Sequence, residues 1–300
     1  MSRSVTDARS LTRPNTEHDL AMELGLFNVN MGRQARPDGV APAARAAEEA
    51  GFESLWAGEH VILPDPQVPP SPMAPQDPAL DPFIGLAYAA AVTSTIRLAT
   101  GIVILPQRNP VVLAKQIASL DVLSGGRFTL GVGVGYLEPE FRAIGADFEH
   151  RGAVTDEHLD AMDRLFYDER PEHHGRFADF AGVDAHPRPL QRPVPLVIGG
   201  HTPAAYRRAV RRGHGWYGFA LTPETAAASL DGLRRANEEV DRPDDLGDLE
   251  ITVTPRGRLT AETAAAFAEL GVDRLVVIPN PKDDDVRPSV EAAIAAVAGL

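Results

Sequence analysis

Four short stretches of this chain hold residue types and spacings able to do chemistry. Glu59-His60 closes a predicted strand over 54–58, and a histidine at a strand end can exchange a proton with a substrate hydroxyl or carbonyl near neutral pH. The alternative is a histidine bonded to loop backbone. Gly101-Ile102 interrupts an apolar run over 96–105, and a glycine inside a strand marks a bulge or a close backbone approach. Packing alone accounts for such a bulge. Gly133-Val134-Gly135 ends the next strand, either as a tight exit or as backbone brought close to a ligand. Gly199-Gly200-His201-Thr202-Pro203 opens a helix, with Thr202 suited to its cap and Pro203 to its first position. Amides exposed at a helix start bind anions. Two glycines are more than a cap requires, so a phosphate is the favoured ligand for Gly199, Gly200 and Thr202.

All four stretches sit where strands end, and the pattern of elements explains why that matters. Apolar runs predict strands over 23–29, 54–58, 96–105, 127–134, 195–198, 216–221, 250–254 and 273–278. Helical patterns follow them over 40–50, 83–94, 110–124, 155–167, 203–212, 223–240, 261–270 and 289–297. Strict alternation implies a parallel sheet. Eight units in 300 residues favour a closed (β/α)8 TIM barrel over an open doubly wound sheet. No dinucleotide fingerprint follows the first strand, where Asn28-Val29-Asn30-Met31-Gly32 has the wrong spacing. In a barrel the reactive groups lie on the loops after the strands. The segment 171–195 is irregular, with a short hairpin expected around GRFADFAG, and Trp56 and Phe128 are read as core.

Composition excludes several functions. The formal charge of −13 argues against a nucleic-acid or anionic-membrane surface. With no cysteine there is no disulfide frame, thiolate metal site or cysteine nucleophile. Residues 1–21 lack the apolar core of a signal peptide and read as a polar tail, so a cytoplasmic protein with one barrel domain over 22–300 is expected. No apolar run is long enough to span a bilayer. A metal-dependent barrel hydrolase needs a His-x-His pair where the first strand ends, and here it ends in asparagines; no metal site is expected. A Schiff-base aldolase needs a strand-end lysine, but Lys115 falls on a helix and Lys282 in a Pro/Asp loop. The eight prolines of the Pro64–Pro82 loop keep it extended, as a lid, a subunit contact or an exposed linker. Arg207, Arg208, Arg211 and Arg212 form a ridge on one helix, read as a solvated face.

The motifs TGIVILPQRNP (100–110) and LDVLSGGRFTLGVGVG (120–135) resemble the luciferase-like monooxygenase superfamily, and within it the branch that uses coenzyme F420, an 8-hydroxy-5-deazaflavin. The resemblance covers 22–300. It implies a bacterial luciferase-like barrel, a homodimer, and hydride transfer between the deazaflavin and a small-molecule substrate. It implies a cis peptide at Gly101–Ile102 whose bulge supports one face of the cofactor ring, and backbone at Gly133 and Gly135 beside the ribityl chain or ring edge. It assigns the cofactor phosphate to Gly199, Gly200 and Thr202, and favours Glu59 and His60 as the catalytic pair, with His60 as acid/base. Some deazaflavin dehydrogenases carry a glutamate directly after the last of these glycines, where this chain has Tyr136; that acid role does not carry over, although Glu138 and Glu140 are near. The rivals are an FMN-dependent monooxygenase on the same barrel, and a flavin-binding barrel without turnover.

Overall fold

The computed structural model describes residues 22–281 and 283–300. The expected tail over 1–21, and Lys282, lie outside the described residues. The strands are β1 (Glu23–Phe27), β2 (Ser54–Ala57), β3 (Arg97–Thr100), β4 (Val103–Ile104), β5 (Phe128–Gly133), β6 (His173–His174), β7 (Asp179–Phe180), β8 (Leu196–Gly199), β9 (Gly215–Leu221), β10 (Glu250–Pro255) and β11 (Arg274–Val277). The helices are α1 (Pro37–Glu49), α2 (Pro82–Ala90), α3 (Pro110–Ser124), α4 (Glu138–Ile144), α5 (Arg151–Tyr167), α6 (Pro203–Arg212), α7 (Pro223–Glu239), α8 (Ala261–Glu269) and α9 (Arg287–Val297). The parallel order β3-β2-β1-β11-β10-β9-β8-β5-β4 closes on itself because β3 also pairs with β5. With β3 and β4 sharing one position, this is the eight-stranded (β/α)8 barrel expected from the alternation.

Successive strand residues face opposite sides. Leu26, Leu55, Leu98, Leu130 and Leu275 therefore join the large core between sheet and helices. Phe27, Trp56, Ala99, Val197, Tyr217 and Val276 form a second cluster, with the half-buried Ile102 packed on it. That second cluster fills the barrel interior. Helix starts are set by side-chain caps: Asp81 accepts from the amides of Phe83 and Ile84, Asn109 from those of Val111 and Val112, and Thr222 and Thr260 each make a reciprocal box with the threonine three residues on. At the end of α3, Gly125 adopts φ 70°, the left-handed cap that glycine takes without strain.

The elements differ from expectation at identifiable places. The run over 96–105 is two strands, because the chain leaves the ladder at Gly101. There Thr100 Oγ1 accepts from the Gly131 amide at 2.8 Å and donates to the Gly131 carbonyl at 2.7 Å, replacing the lost ladder bonds. Helix α2 ends at Ala90 rather than 94, where Thr93 Oγ1 donates to the Ala89 carbonyl and Arg127 to that of Ala90. Helix α5 starts at Arg151 rather than 155, and α4 was not expected. The hairpin is β6 against β7. No helix among the described residues is long and apolar enough to cross a membrane.

Candidate active site

The Gly101–Ile102 peptide is cis, as the resemblance implied. Gly101 rests on the interior cluster: a Cβ there would lie 2.9 Å from both the Phe27 and Trp56 rings and 3.4 Å from Tyr217. The Ile102 side chain then lies across the barrel between two glycines of neighbouring strands. A Cβ on Gly133 would meet Ile102 Cδ1 at 2.7 Å, and one on Gly199 would meet Cγ2 at 3.0 Å. Both glycines thus clear room for Ile102, which is a role that glycine spacing in the sequence left open. Gly135, at φ 75°, faces Ile104 and Phe141 instead, whose Cγ2 and ring would stand 2.6 and 2.7 Å from an added Cβ. Its left-handed backbone turns the chain so that the buried Phe141 can seat α4.

The strand-two pair divides its work. Glu59 is buried, and Oε2 accepts from the Ile104 amide at 2.6 Å while Oε1 accepts from Nε and Nη2 of Arg108. Arg108 also donates to Asp81, the α2 cap, at 2.6 Å. Burial pushes the Glu59 carboxyl up and the Arg108 charge opposes it. The same burial penalty on the guanidinium is outweighed by Glu59, so Arg108 stays cationic. Glu59 therefore clamps β4 to the end of β2 across the bulge, with both oxygens engaged. His60 makes separate contacts. Its Nδ1 is 3.2 Å from Glu140 Oε1, and its ring stands edge-on to Tyr136 at 6.2 Å between centroids. Nε2 has no partner among the described residues and is not among the buried unpaired atoms.

Tyr136 is 51% exposed, and burial of its hydroxyl with the Glu140 charge beside it raises its pKa, so the phenol is neutral at pH 7. Phe219, exposed on β9, stacks obliquely against Phe27 at 5.4 Å. Next to it Ala220 holds φ 56°, a sparsely populated conformation for a residue with a Cβ. His60, Ile102, Tyr136 and Phe219 thus lie at or just beyond the ends of β2, β3, β5 and β9, the end of a barrel where reactive groups collect.

At the start of α6, Thr202 Oγ1 accepts from the Ala205 amide at 3.2 Å, the expected cap. Trp216 Nε1 donates to the Gly200 carbonyl at 2.9 Å and fixes the turn, with Gly200 at φ 128°. The exposed residues His201, Thr202 and Ala204 have amides with no hydrogen-bond partner among the described residues. These amides begin two residues beyond Gly199, against which Ile102 packs; amides left free at a helix start are able to donate to an anion. Three of the four helix arginines are committed elsewhere: Arg207 to Glu239, Arg208 to Asp156 and Arg212 to Asp160. Among the described residues no group of three or more His, Cys, Asp or Glu could hold a metal. Trp56 and Phe128 are fully buried core.

Sequence reasoning saw Glu140 only as an acidic neighbour of Tyr136, and missed Phe219, α4 and the Glu59–Arg108 clamp. Pro139 near the start of α4 and Gly145 at its end, in the left-handed conformation, were the available signal for that helix.

With this geometry in place, comparison decides the family: the model of the luciferase-like monooxygenases matches residues 22–292. The chain belongs to the luciferase-like monooxygenase family. Among its relatives, the uncharacterized protein Rv0953c of Mycobacterium tuberculosis is 31% identical over 301 residues, covering 92% of this chain and 99% of the relative. The monooxygenase RslO1 from Streptomyces bottropensis is 26% identical with a TM-score of 0.63, covering 93% of this chain and 80% of that one. An F420-dependent secondary alcohol dehydrogenase, in complex with an F420-acetone adduct, is 18% identical with a TM-score of 0.74, covering 92% of this chain and 98% of its own. At that identity the likeness is one of fold. It is membership of the family, not the shared barrel, that makes the chain an enzyme of the luciferase-like oxidoreductases.

Proposed function

We propose that this luciferase-like protein is an F420-dependent oxidoreductase that moves a hydride between the deazaflavin and a small organic substrate, with His60 handling the substrate proton. The observation that carries this reading is the unpaired Nε2 of His60, held through Nδ1 by a buried carboxylate at the same end of the barrel as the Ile102 bulge. Hydride exchange at a carbon bearing oxygen or nitrogen leaves a proton to place, and imidazole places it near pH 7. The deazaflavin supplies the hydride-carrying carbon. The chain's part is to hold, orient and keep dry. The Ile102 side chain, fixed between Gly133 and Gly199, offers an apolar seat for a ring face. The free amides at the α6 start suit a ribityl phosphate. Tyr136, neutral and exposed, and Phe219 give the mouth an aromatic lining suited to an uncharged substrate. Glu59 serves the reaction by positioning: it fixes β4 and through it the bulge.

The second reading is an FMN-dependent monooxygenase, and the 26% identity to the monooxygenase RslO1 favours it. Both cofactors carry a ribityl phosphate, so the α6 start serves either. Turnover separates them. The purified protein is mixed with oxidised deazaflavin and a panel of secondary alcohols, or with reduced deazaflavin and the matching ketones, in anaerobic and air-saturated buffer. The proposal expects cofactor reduction or oxidation at equal rates in both buffers. Oxygen-dependent turnover with FMN, and none with deazaflavin, would assign the monooxygenase.

The expected homodimer is proposed through α2 and α3, which pack side by side and leave Ile84, Tyr88 and Val112 exposed. Light scattering of Ile84→Glu should report a monomer where the native chain reports a dimer.

A further inference from the structure

We propose that Glu140 is a positioning residue that sets the tautomer of His60, so that Nε2 is the nitrogen offered to substrate. This rests on His60 being the proton-exchanging group of the proposed function. Three observations carry it. The Glu140 carboxylate is fully buried, with side-chain exposure of 0%, and Oε1 lies 3.2 Å from His60 Nδ1. Its second oxygen, Oε2, is also buried and has no hydrogen-bond partner. A carboxylate kept only for stability has its oxygens satisfied, because an unpaired buried one costs stability; the buried Glu59 is an example, bonded through both oxygens. Glu140 instead spends its burial on one contact, to the imidazole.

The element that carries Glu140 is built for placement rather than bulk. Helix α4 follows the Gly133-Val134-Gly135 exit, and Gly135 at φ 75° leaves space for the Phe141 ring. Phe141 is fully buried and packs edge-on against Phe148 at 5.2 Å, which holds the helix from its far side. Glu140 precedes Phe141 and is thereby directed at the β2 end.

The electrostatic consequence follows directly. A carboxylate beside Nδ1 accepts its N–H, leaving Nε2 as the acceptor in the neutral ring. When Nε2 takes a proton from a substrate hydroxyl, the imidazolium forms next to an anion, and when it returns the proton the neutral Nδ1–H form is restored. The other titratable groups facing His60 do not compete for this role. Tyr136 presents a neutral ring edge, and Glu59 is paired with Arg108, which Asp81 also holds.

Histidine-side-chain NMR on the cofactor-free protein tests the proposal without any turnover. Nitrogen shifts in the native chain should report the Nδ1–H tautomer for His60. In Glu140→Ala the Nδ1–H preference should be lost and both tautomers should appear, because the acceptor beside Nδ1 is gone. Glu140→Asp, which keeps the carboxylate on a shorter arm, should restore part of that preference. With cofactor, kcat of Glu140→Ala should fall while cofactor Kd holds. A native Nε2–H tautomer overturns the proposal, and that measurement needs no variant to fold. An unchanged Nδ1–H population in a folded Glu140→Ala also overturns it. If the protein proves to use FMN, the tautomer still reports on Glu140, so the two readings fail separately.

Discussion

The contact between Gly133 and Ile102 yields a sharp perturbation. In Gly133→Ala the added methyl would stand 2.7 Å from Ile102 Cδ1 and 3.1 Å from Cγ1. Carbon atoms settle at about 3.5–4.0 Å, so the end of Ile102 must retreat by about 1 Å. Gly199 limits retreat on the other side, since it was bare space there that admitted Cγ2. The remaining direction is outward, into the opening where the cofactor ring is proposed to rest. The fold itself should tolerate the change. An off-rotamer isoleucine costs about 0.5–1.5 kcal/mol, and alanine in a strand recovers about 0.5–1 kcal/mol relative to glycine. The melting temperature should therefore stay within about 3 °C of the native chain. Binding should not tolerate it: a displaced ring face costs about 1.4 kcal/mol, or tenfold in Kd. Gly131→Ala is the control, since its Cβ would lie 1.9 Å from the Thr100 carbonyl oxygen, a backbone atom. That variant should lose well over 4 kcal/mol and not fold. Deazaflavin fluorescence titration paired with thermal melts reads all three proteins. Native affinity in Gly133→Ala would refute the seat assigned to Ile102, and so would a melting loss as large as that of Gly131→Ala.

Three further outcomes follow from the same geometry. His60→Ala should lower single-turnover hydride transfer by about 10²–10⁴ while cofactor Kd changes far less, because the proposed phosphate and ring contacts lie on other loops; transfer near the native rate would make His60 structural. Gly101→Val should destabilise by about 1–3 kcal/mol in urea melts and weaken cofactor binding, since the Phe27 and Trp56 rings stand 2.9 Å from even a first carbon. Glu48 is opposed by burial but accepts from the amides of Ser94, Thr95 and Ile96 and the Thr95 hydroxyl, which together hold its carboxyl down to about 2. Its folded value is depressed, so its stabilisation is present above about 4.5 and lost as pH falls toward about 2. The deficit of Glu48→Gln in urea melts should shrink across that window, and a deficit that does not vary with pH would rule the explanation out.

The barrel was legible because its evidence in the chain is repetitive: apolar strands alternating with capped helices, which leave one closed topology at this length. The bulge was legible as a glycine in an apolar run. Its internal machinery was not. That Thr100 repairs the ladder at Gly131, that Glu59 reaches the Ile104 amide, and that Arg108 ties both to Asp81 are contacts between residues 27 to 49 apart, with no periodicity to expose them. The glycines at 133 and 199 were read as ligand contacts, yet each first makes room for Ile102, because a sequence shows that a side chain is missing and not which neighbour fills the space. Glu140 was noticed only as one acidic residue near Tyr136. What sets it apart is burial and a single partner, both properties of the folded chain.

Cofactor choice is read by a parallel equilibrium titration of the purified protein with F420 and with FMN under identical salt and pH. The Kd for F420 should be the lower, with the Gly133→Ala loss of affinity appearing in that titration. An equal or lower Kd for FMN, accompanied by oxygen consumption on reduction of the bound flavin, would contradict the deazaflavin assignment.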